Sequence, residues 1–212
     1  MVKAAAKKEI TIPAIDIRIM TIKAVGDSPL IMHKWSEKAK KEMLDKQQKK
    51  AKTKGHDVRD PVADFIDSLY WLEGEPTEKT EAGFEAAIAS GNARFGFPSI
   101  GFKAAAVSAG YRSGVTKDKV SIMAAFHING EFVEIKGVPA MREDMVRVGM
   151  GTADLRYRGE FEPWSAELEI RYNASAITAE QIANLVNLGG FATGVGEWRP
   201  EKAGANGMFH VV

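Results

Sequence analysis

"ITAEQIANLVNLGGFATGVGEWRPEKAGANGMFHVV", residues 177–212, closes the chain and decides how the rest of it is read. Thr178 and Gln181 stand at capping-box spacing, so a helix is expected to begin at Thr178. Ile182, Leu185 and Val186 give that helix one apolar stripe, and Gly189-Gly190 reads as its stop. Four further glycines, Gly194, Gly196, Gly204 and Gly207, surround Trp198 and Arg199 in a loop, and "GMFHVV" reads as a short last strand. Glycines that precede a strand rather than a helix exclude a Rossmann dinucleotide site. "GVGEWRPEK" also lacks the lysine-serine/threonine ending of a Walker loop.

Upstream, "ITIPAIDIRIMTIKAV" alternates as a half-buried strand with Ile15, Ile17 and Ile19 on one side. From Lys34 to Lys54 the chain carries nine lysines and little that could bury, an exposed helix or arm. "RDPVADFIDSLYWL" offers Asp60 as N-cap, Pro61 at the first helical position, and Phe65, Leu69 and Leu72 as a stripe. Ser99 is expected to cap the Ala-rich helix "IGFKAAAVSAGYRSG". Val120, Ile122, Ala124, Phe126 and Ile128 read as one face of a strand that turns at Asn129-Gly130 into a hairpin. Ala166, Leu168, Ile170 and Tyr172 read as the buried face of another strand.

These elements give an α+β fold, a ferredoxin-like (RRM-like) β-α-β-β-α-β core with a mostly helical, lysine-rich insertion after the first strand. The expected organisation is a single domain, 1–212. Within it, 1–9 is a flexible leader, 26–95 the insertion, and 10–25 plus 96–212 the core. A net charge of +1 excludes a whole-protein basic signature, so affinity for nucleic acid has to come from local patches. The absence of cysteine excludes disulfides and thiolate metal sites and fits a reducing, cytoplasmic setting. No run of about 18 apolar residues suggests a membrane span.

"FPSIGFKAAAVSAGYRS" followed downstream by "LVNLGGFATGVGEWRPEKAGANGMFHVV" resembles the RAMP superfamily, the RNA-binding backbone and processing subunits of CRISPR effector complexes. The first segment is similar to the family's first helix, with Lys103 as its lysine. The second is similar to its closing helix, glycine-rich loop and strand, with Gly194, Gly196, Arg199, Gly204 and Gly207 as the loop positions. The resemblance covers about half the chain. "EWRPEKA" lengthens the loop, and Glu197 and Glu201 add negative charge beside Arg199, which points to a divergent branch on a phage or other mobile element.

The resemblance implies a subunit that binds RNA or single-stranded DNA and assembles side by side with copies of itself and other effector subunits. The residues expected to touch nucleic acid are Lys34, Trp35, Lys49, Lys50, Lys52, Lys103, Arg112, Arg156, Arg158 and Arg199. Arg142, Arg147 and Arg171 belong to the same basic half, where Glu160, Glu162, Glu167 and Glu169 offer cross-strand partners. Alternatives are a phage-encoded structural or assembly protein without a nucleic-acid ligand, and an RNA endonuclease using His33 or Asp27. His33, His56, His127 and His210 are scattered without ligand spacing, so neither a metal nor a cofactor is expected.

Overall fold

The computed structural model describes residues 14–35, 37–49, 59–148 and 151–212. In chain order these form β1 (Ile17–Gly26), β2 (Leu30–Met32), α1 (Glu37–Gln47), α2 (Pro61–Asp67), β3 (Tyr70–Glu73), α3 (Glu81–Ala89) and β4 (Arg94–Pro98). There follow α4 (Ser99–Arg112), α5 (Lys119–Ala125), β5 (Phe126–Ile128), β6 (Phe132–Lys136), β7 (Pro139–Val148) and β8 (Thr152–Phe161). The chain closes with β9 (Ser165–Asn173), α6 (Ala179–Ala192), a 3-10 turn at Pro200–Lys202 and β10 (Phe209–Val211). The architecture is α+β. One antiparallel sheet runs β10-β1-β9-β6-β4-β3 with β5 also beside β9, and a second runs β2-β8-β7.

β9 buries Ala166, Leu168, Ile170 and Tyr172 and exposes the residues between them, the alternation its sequence dictates. β1 has the opposite parity from the one its isoleucines suggest. Its register places Ile22 opposite Leu168 and Ala24 opposite Ala166, so these face the core, while Ile17 and Ile19 are exposed and Ile19 stands opposite Arg171. A one-residue offset turns the whole row outward.

Residues 119–125 form a helix, not a strand. The Asp118 carboxylate accepts from the Val120 and Ser121 amides and starts it, so only Phe126–Ile128 is left as β5. Asn129-Gly130 does not turn a hairpin either. β5 and β6 both pair antiparallel with β9, and the chain between them loops out of line and returns to the same neighbour. The Ser99 hydroxyl, expected to cap its own helix, donates instead to the Gly130 carbonyl at 2.6 Å, and the Ser99 amide donates to Glu131 O. The loop is therefore held by the start of α4.

The capping box at Thr178 and Gln181 is present, but α6 continues through Gly189-Gly190 to Ala192. A methyl on Gly189 would lie 2.7 Å from the Ala106 nitrogen, and one on Gly190 would collide with the Phe209 carbonyl. These glycines let α6 lie against α4 and β10, and close packing outweighs their weak helix propensity. The small residues Ala105, Ala106, Ala109 and Gly110 make the facing surface of α4. Phe102, Phe126, Phe161 and Phe209 are fully buried between the helices and the sheets, with the Phe102 and Phe209 rings edge to face at 5.5 Å.

Segment 26–95 holds β2, β3 and the start of β4 as well as three helices, and β3 and β4 extend the main sheet beyond β6. Asp60 caps α2 as its sequence suggests, and Phe65 and Leu69 are buried, but Leu72 lies on β3. The expected leader, 1–9, falls outside the described residues. No helix among the described residues is long and apolar enough to cross a membrane.

Candidate functional site

The glycine loop folds back on itself and onto β2. The Glu197 amide donates to Ile31 O, Gly207 N–H to Pro29 O, Val195 N–H to Gly207 O and Asn206 N–H to Trp198 O. Gly207 takes φ +67, and a methyl there would run into the Val195 carbonyl, so only glycine fits this closure. Gly194 and Gly196 have positive φ as well, as do Trp198 at 54° and Ala203 at 60°. Backbone bonds to β2, to Pro29 before it and within the loop account for much of what the glycines do.

Arg199 belongs to that closure. Its Nε and Nη2 lie 3.1 and 2.9 Å from Glu201 Oε2, and its Nη1 donates to Gly196 O at 3.0 Å. Glu201 also takes Arg112 Nη2 at 2.9 Å and the Ser108 hydroxyl at 3.3 Å, both from α4. Partial burial opposes the Glu201 carboxylate, yet the bonds and charges of Arg199 and Arg112 overcome it and leave its pKa below the ordinary value. Two of the expected phosphate ligands, Arg112 and Arg199, thus fasten the loop to α4.

Between loop and helix lies a cleft of about 520 Å³. Its walls include Ile31, Phe97, Ile100, Ala104, Val107 and Val195, with Tyr70 and Met123. Its polar residues include His33, Lys103, Lys119, Thr193, Glu197 and the Arg199–Glu201 pair. The Thr193 hydroxyl and His33 Nδ1 are shielded from solvent and have no hydrogen-bond partner among the described residues. Burial first, then Arg158, pushes the His33 imidazole below its ordinary pKa, so it is neutral at pH 7. Lys103 points from α4 toward the β5 edge, its Nζ 3.1 Å from His127 Nδ1 and 5.8 Å from the Phe126 ring centre. Neither Lys103 nor Lys119 has a carboxylate within ion-pair distance among the described residues.

The β7–β8 hairpin carries the second basic group, and most of it is internally paired. Arg158 is 6% exposed and donates to Asp144 Oδ2 at 3.0 Å. Arg142 bridges Asp144 and Glu160, and Trp198 Nε1 reaches Asp144 Oδ2 at 3.4 Å. Burial disfavours the Asp144 carboxylate, but Arg142 and Arg158 more than offset this and depress its pKa. Arg156 Nε comes within 2.8 Å of Asp154 Oδ2 without hydrogen-bond alignment, an ion pair only. Asp154 also binds Arg59, which ties the hairpin to the start of α2. The residues expected to pair with these arginines were the glutamates. Asp144 and Asp154 do most of it: Asp144 takes Arg142 from its own strand and Arg158 from the facing one, and Asp154 takes Arg156 from its own strand.

Lys34 is half-buried, with its amide bonded to Ser68 O, and Trp35 beside it is 57% exposed. Lys49 is exposed just past α1 at φ 53, and Lys50 and Lys52 lie outside the described residues. Asp27, one of the two alternative residues of the nuclease reading, pairs with His210 at 2.6 Å. Among the described residues no group of three or more His, Cys, Asp or Glu is arranged to hold a metal. Sequence reasoning missed Ile100, Ala104, Val107, Tyr70 and Thr193. The first three, with Lys103, fall at i, i+3, i+4 and i+7 on one helical row, a signal present in the sequence but masked by the alanine pattern.

No family model matches the chain, and no curated protein matches it. Among solved structures, the crystal structure of Cmr6 from Pyrococcus furiosus aligns with it at 12% identity and a TM-score of 0.36, covering 94% of this chain and all of that one.

Proposed function

We propose that this protein is a non-enzymatic subunit that binds RNA or another single-stranded nucleic acid and assembles side by side with copies of itself along the strand. The observation that carries the reading is the cleft between α4 and the glycine loop, with Lys103 and Lys119 at its edge and no carboxylate among the described residues paired to either. A single strand needs cations spaced along its phosphates and apolar or aromatic surface for its bases. This cleft offers both. The order β10-β1-β9-β5, with α4 and α6 packed side by side over its inner face, supports the ferredoxin-like core to which the RAMP resemblance points. Lys34, Trp35 and Lys49, with Lys50 and Lys52, would extend the path across the insertion. Arg156 would contribute at its surface, whereas Arg112, Arg158 and Arg199 would act by holding the loop and hairpin in position.

Exposed Met141, Met145 and Leu155 on the β7–β8 hairpin supply an apolar surface for contact between copies, the feature that also suits a purely structural assembly protein. The two readings separate on titration of the purified protein with labelled 20-nucleotide RNA and DNA at several salt concentrations. Affinity that falls with salt, each phosphate contact adding about 0.7 to the logarithmic slope, supports the nucleic-acid subunit. Assembly in nucleic-acid-free preparations with no oligonucleotide binding overturns it in favour of the structural protein.

A further inference from the structure

We propose that the open edge of β1 pairs with the same edge of a second copy of this chain, about a two-fold axis, so that the two main sheets join into one. The inference goes beyond the nucleic-acid reading and uses neither the cleft nor the β7–β8 hairpin. The closed pair it describes also differs from a side-by-side row of copies.

β1 is ten residues long, yet β10 covers only its last part, Ala24–Gly26. Backbone groups along an antiparallel strand alternate between its two neighbours. The Val212 amide donates to Lys23 O at 3.0 Å, and the Ala174 amide to Asp16 O at 2.7 Å. Odd-numbered residues of β1 therefore turn N–H and C=O toward the β10 side, and even-numbered ones toward β9. Among the described residues nothing pairs with the outward groups of Ile15, Ile17, Ile19 and Thr21. Such an edge is a template for another strand, and folds blunt it with lysine, proline, a bulge or an inward charge. From Ile17 to Ile22 the pairing with β9 is regular and the sole charge is Arg18, which Asp16 neutralises at 2.8 Å.

Self-complementarity identifies the occupant. A two-fold pair sets residue i against j and j against i. Lys23 O is already taken by Val212, so the free edge runs from Ile15 to Thr21, and its middle is Arg18. Antiparallel pairing about Arg18 sets Ile17 against the partner's Ile19 and Ile15 against the partner's Thr21, which uses every free group. Ile15, Ile17 and Ile19 are 67%, 41% and 62% exposed, and this pairing gathers the two rows into one apolar strip. On the opposite face Arg18 lies diagonally from the partner's Asp16, within reach of a long side chain. The Arg18–Asp16 pair of each copy thus extends to the other, and the two arginines at the axis are each balanced.

The experiment uses full-length protein freed of nucleic acid, over a wide range of concentrations. Sedimentation equilibrium is expected to show a monomer–dimer equilibrium for wild type and a monomer for the double variant Ile17→Lys, Ile19→Lys. Both isoleucines are exposed, so the substitutions leave the core intact. The chain has no cysteine of its own, so Arg18→Cys gives a second readout. Facing residues in a non-hydrogen-bonded pair stand about 4.5 Å apart at Cα, within disulfide range. Oxidised Arg18→Cys is expected to run as a covalent dimer, and the control Lys23→Cys, beside β10, as a monomer. A wild-type chain that stays monomeric at every concentration overturns the proposal, leaving the edge to residues 1–13 or to a strand of another protein. A dimer that survives the lysine substitutions, or that crosslinks equally at both cysteine positions, overturns it too. Oligonucleotide titration is unaffected by either result and judges the nucleic-acid reading by itself.

Discussion

Arg199 places two nitrogens, Nε and Nη2, on a single oxygen of Glu201, at 3.1 and 2.9 Å. The most conspicuous cation of the glycine loop is therefore spent inside the loop, and its role is to shape the cleft wall. Arg199→Ala is expected to lower stability by about 1–2 kcal/mol through lost charge-assisted hydrogen bonds. It should weaken oligonucleotide binding far less than Lys103→Ala does. Thermal unfolding and a binding titration of both variants check this. A large loss of affinity in Arg199→Ala at unchanged melting temperature would sink the idea.

Gly190 should tolerate nothing larger than hydrogen. Its missing Cβ would occupy the position of the Phe209 carbonyl, so alanine forces α6 away from β10. Overpacking against backbone cannot relax by a rotamer change, and a loss of about 3 kcal/mol or more is expected. An alanine at exposed Gly114, where a methyl meets nothing within 4 Å, is a suitable control, with only the strain of φ +71 to bear. Denaturant unfolding should separate the two by at least 1 kcal/mol, and equal stabilities would refute the packing account.

The contrast between those glycines marks what the sequence could convey. Capping boxes are local, and so Thr178–Gln181 and Asp60 were legible, as was the alternation of β9. Gly189-Gly190 resembles a helix stop until α4 and β10 are present, because close approach is a tertiary fact. The segment from Val120 alternates like a strand, but the Asp118 carboxylate caps it into a helix. Asn129-Gly130 carries the hairpin signature, yet β9 is long enough to pair with both flanking segments. The basic residues were legible as residues and not as partners. Asp144 and Asp154 each meet the arginine two residues away on their own strand, while Arg158 and Arg59 reach them from other elements that no spacing rule reveals.

Asp144 sits with Arg158 in the buried part of the hairpin, so its charge is needed where it is. Asp144→Asn leaves Arg158 and Arg142 facing a neutral group, and breaking such a pair costs about 3–5 kcal/mol. The folded-state pKa of Asp144 is depressed, so the stabilisation is complete above the ordinary aspartate range and fades as pH falls through the lowered value. Urea unfolding from pH 7 downward should show wild type losing stability toward the variant. An Asp144→Asn protein as stable as wild type at pH 7 would show that the network is not structural.

Glu134 offers the sharpest acid titration. Hydrogen bonds from Arg94, at 3.0 and 2.9 Å, lead the causes that push its pKa down from 4.5 to about 2, with Lys136 assisting at 2.7 Å. A depressed carboxylate binds protons more weakly in the folded state than in the unfolded one. Its contribution is thus fully present above about pH 4.5 and is lost as pH falls toward 2. Glu134→Gln should remove part of the acid-induced loss of stability between those limits and leave the shape of the curve above pH 6 unchanged. Because Arg94 also holds Glu73 across the β3–β4 pair, the variant keeps one anchor for that guanidinium and should still fold. Stability of wild type and variant falling in parallel from pH 5 to pH 2 would refute the assignment to Glu134.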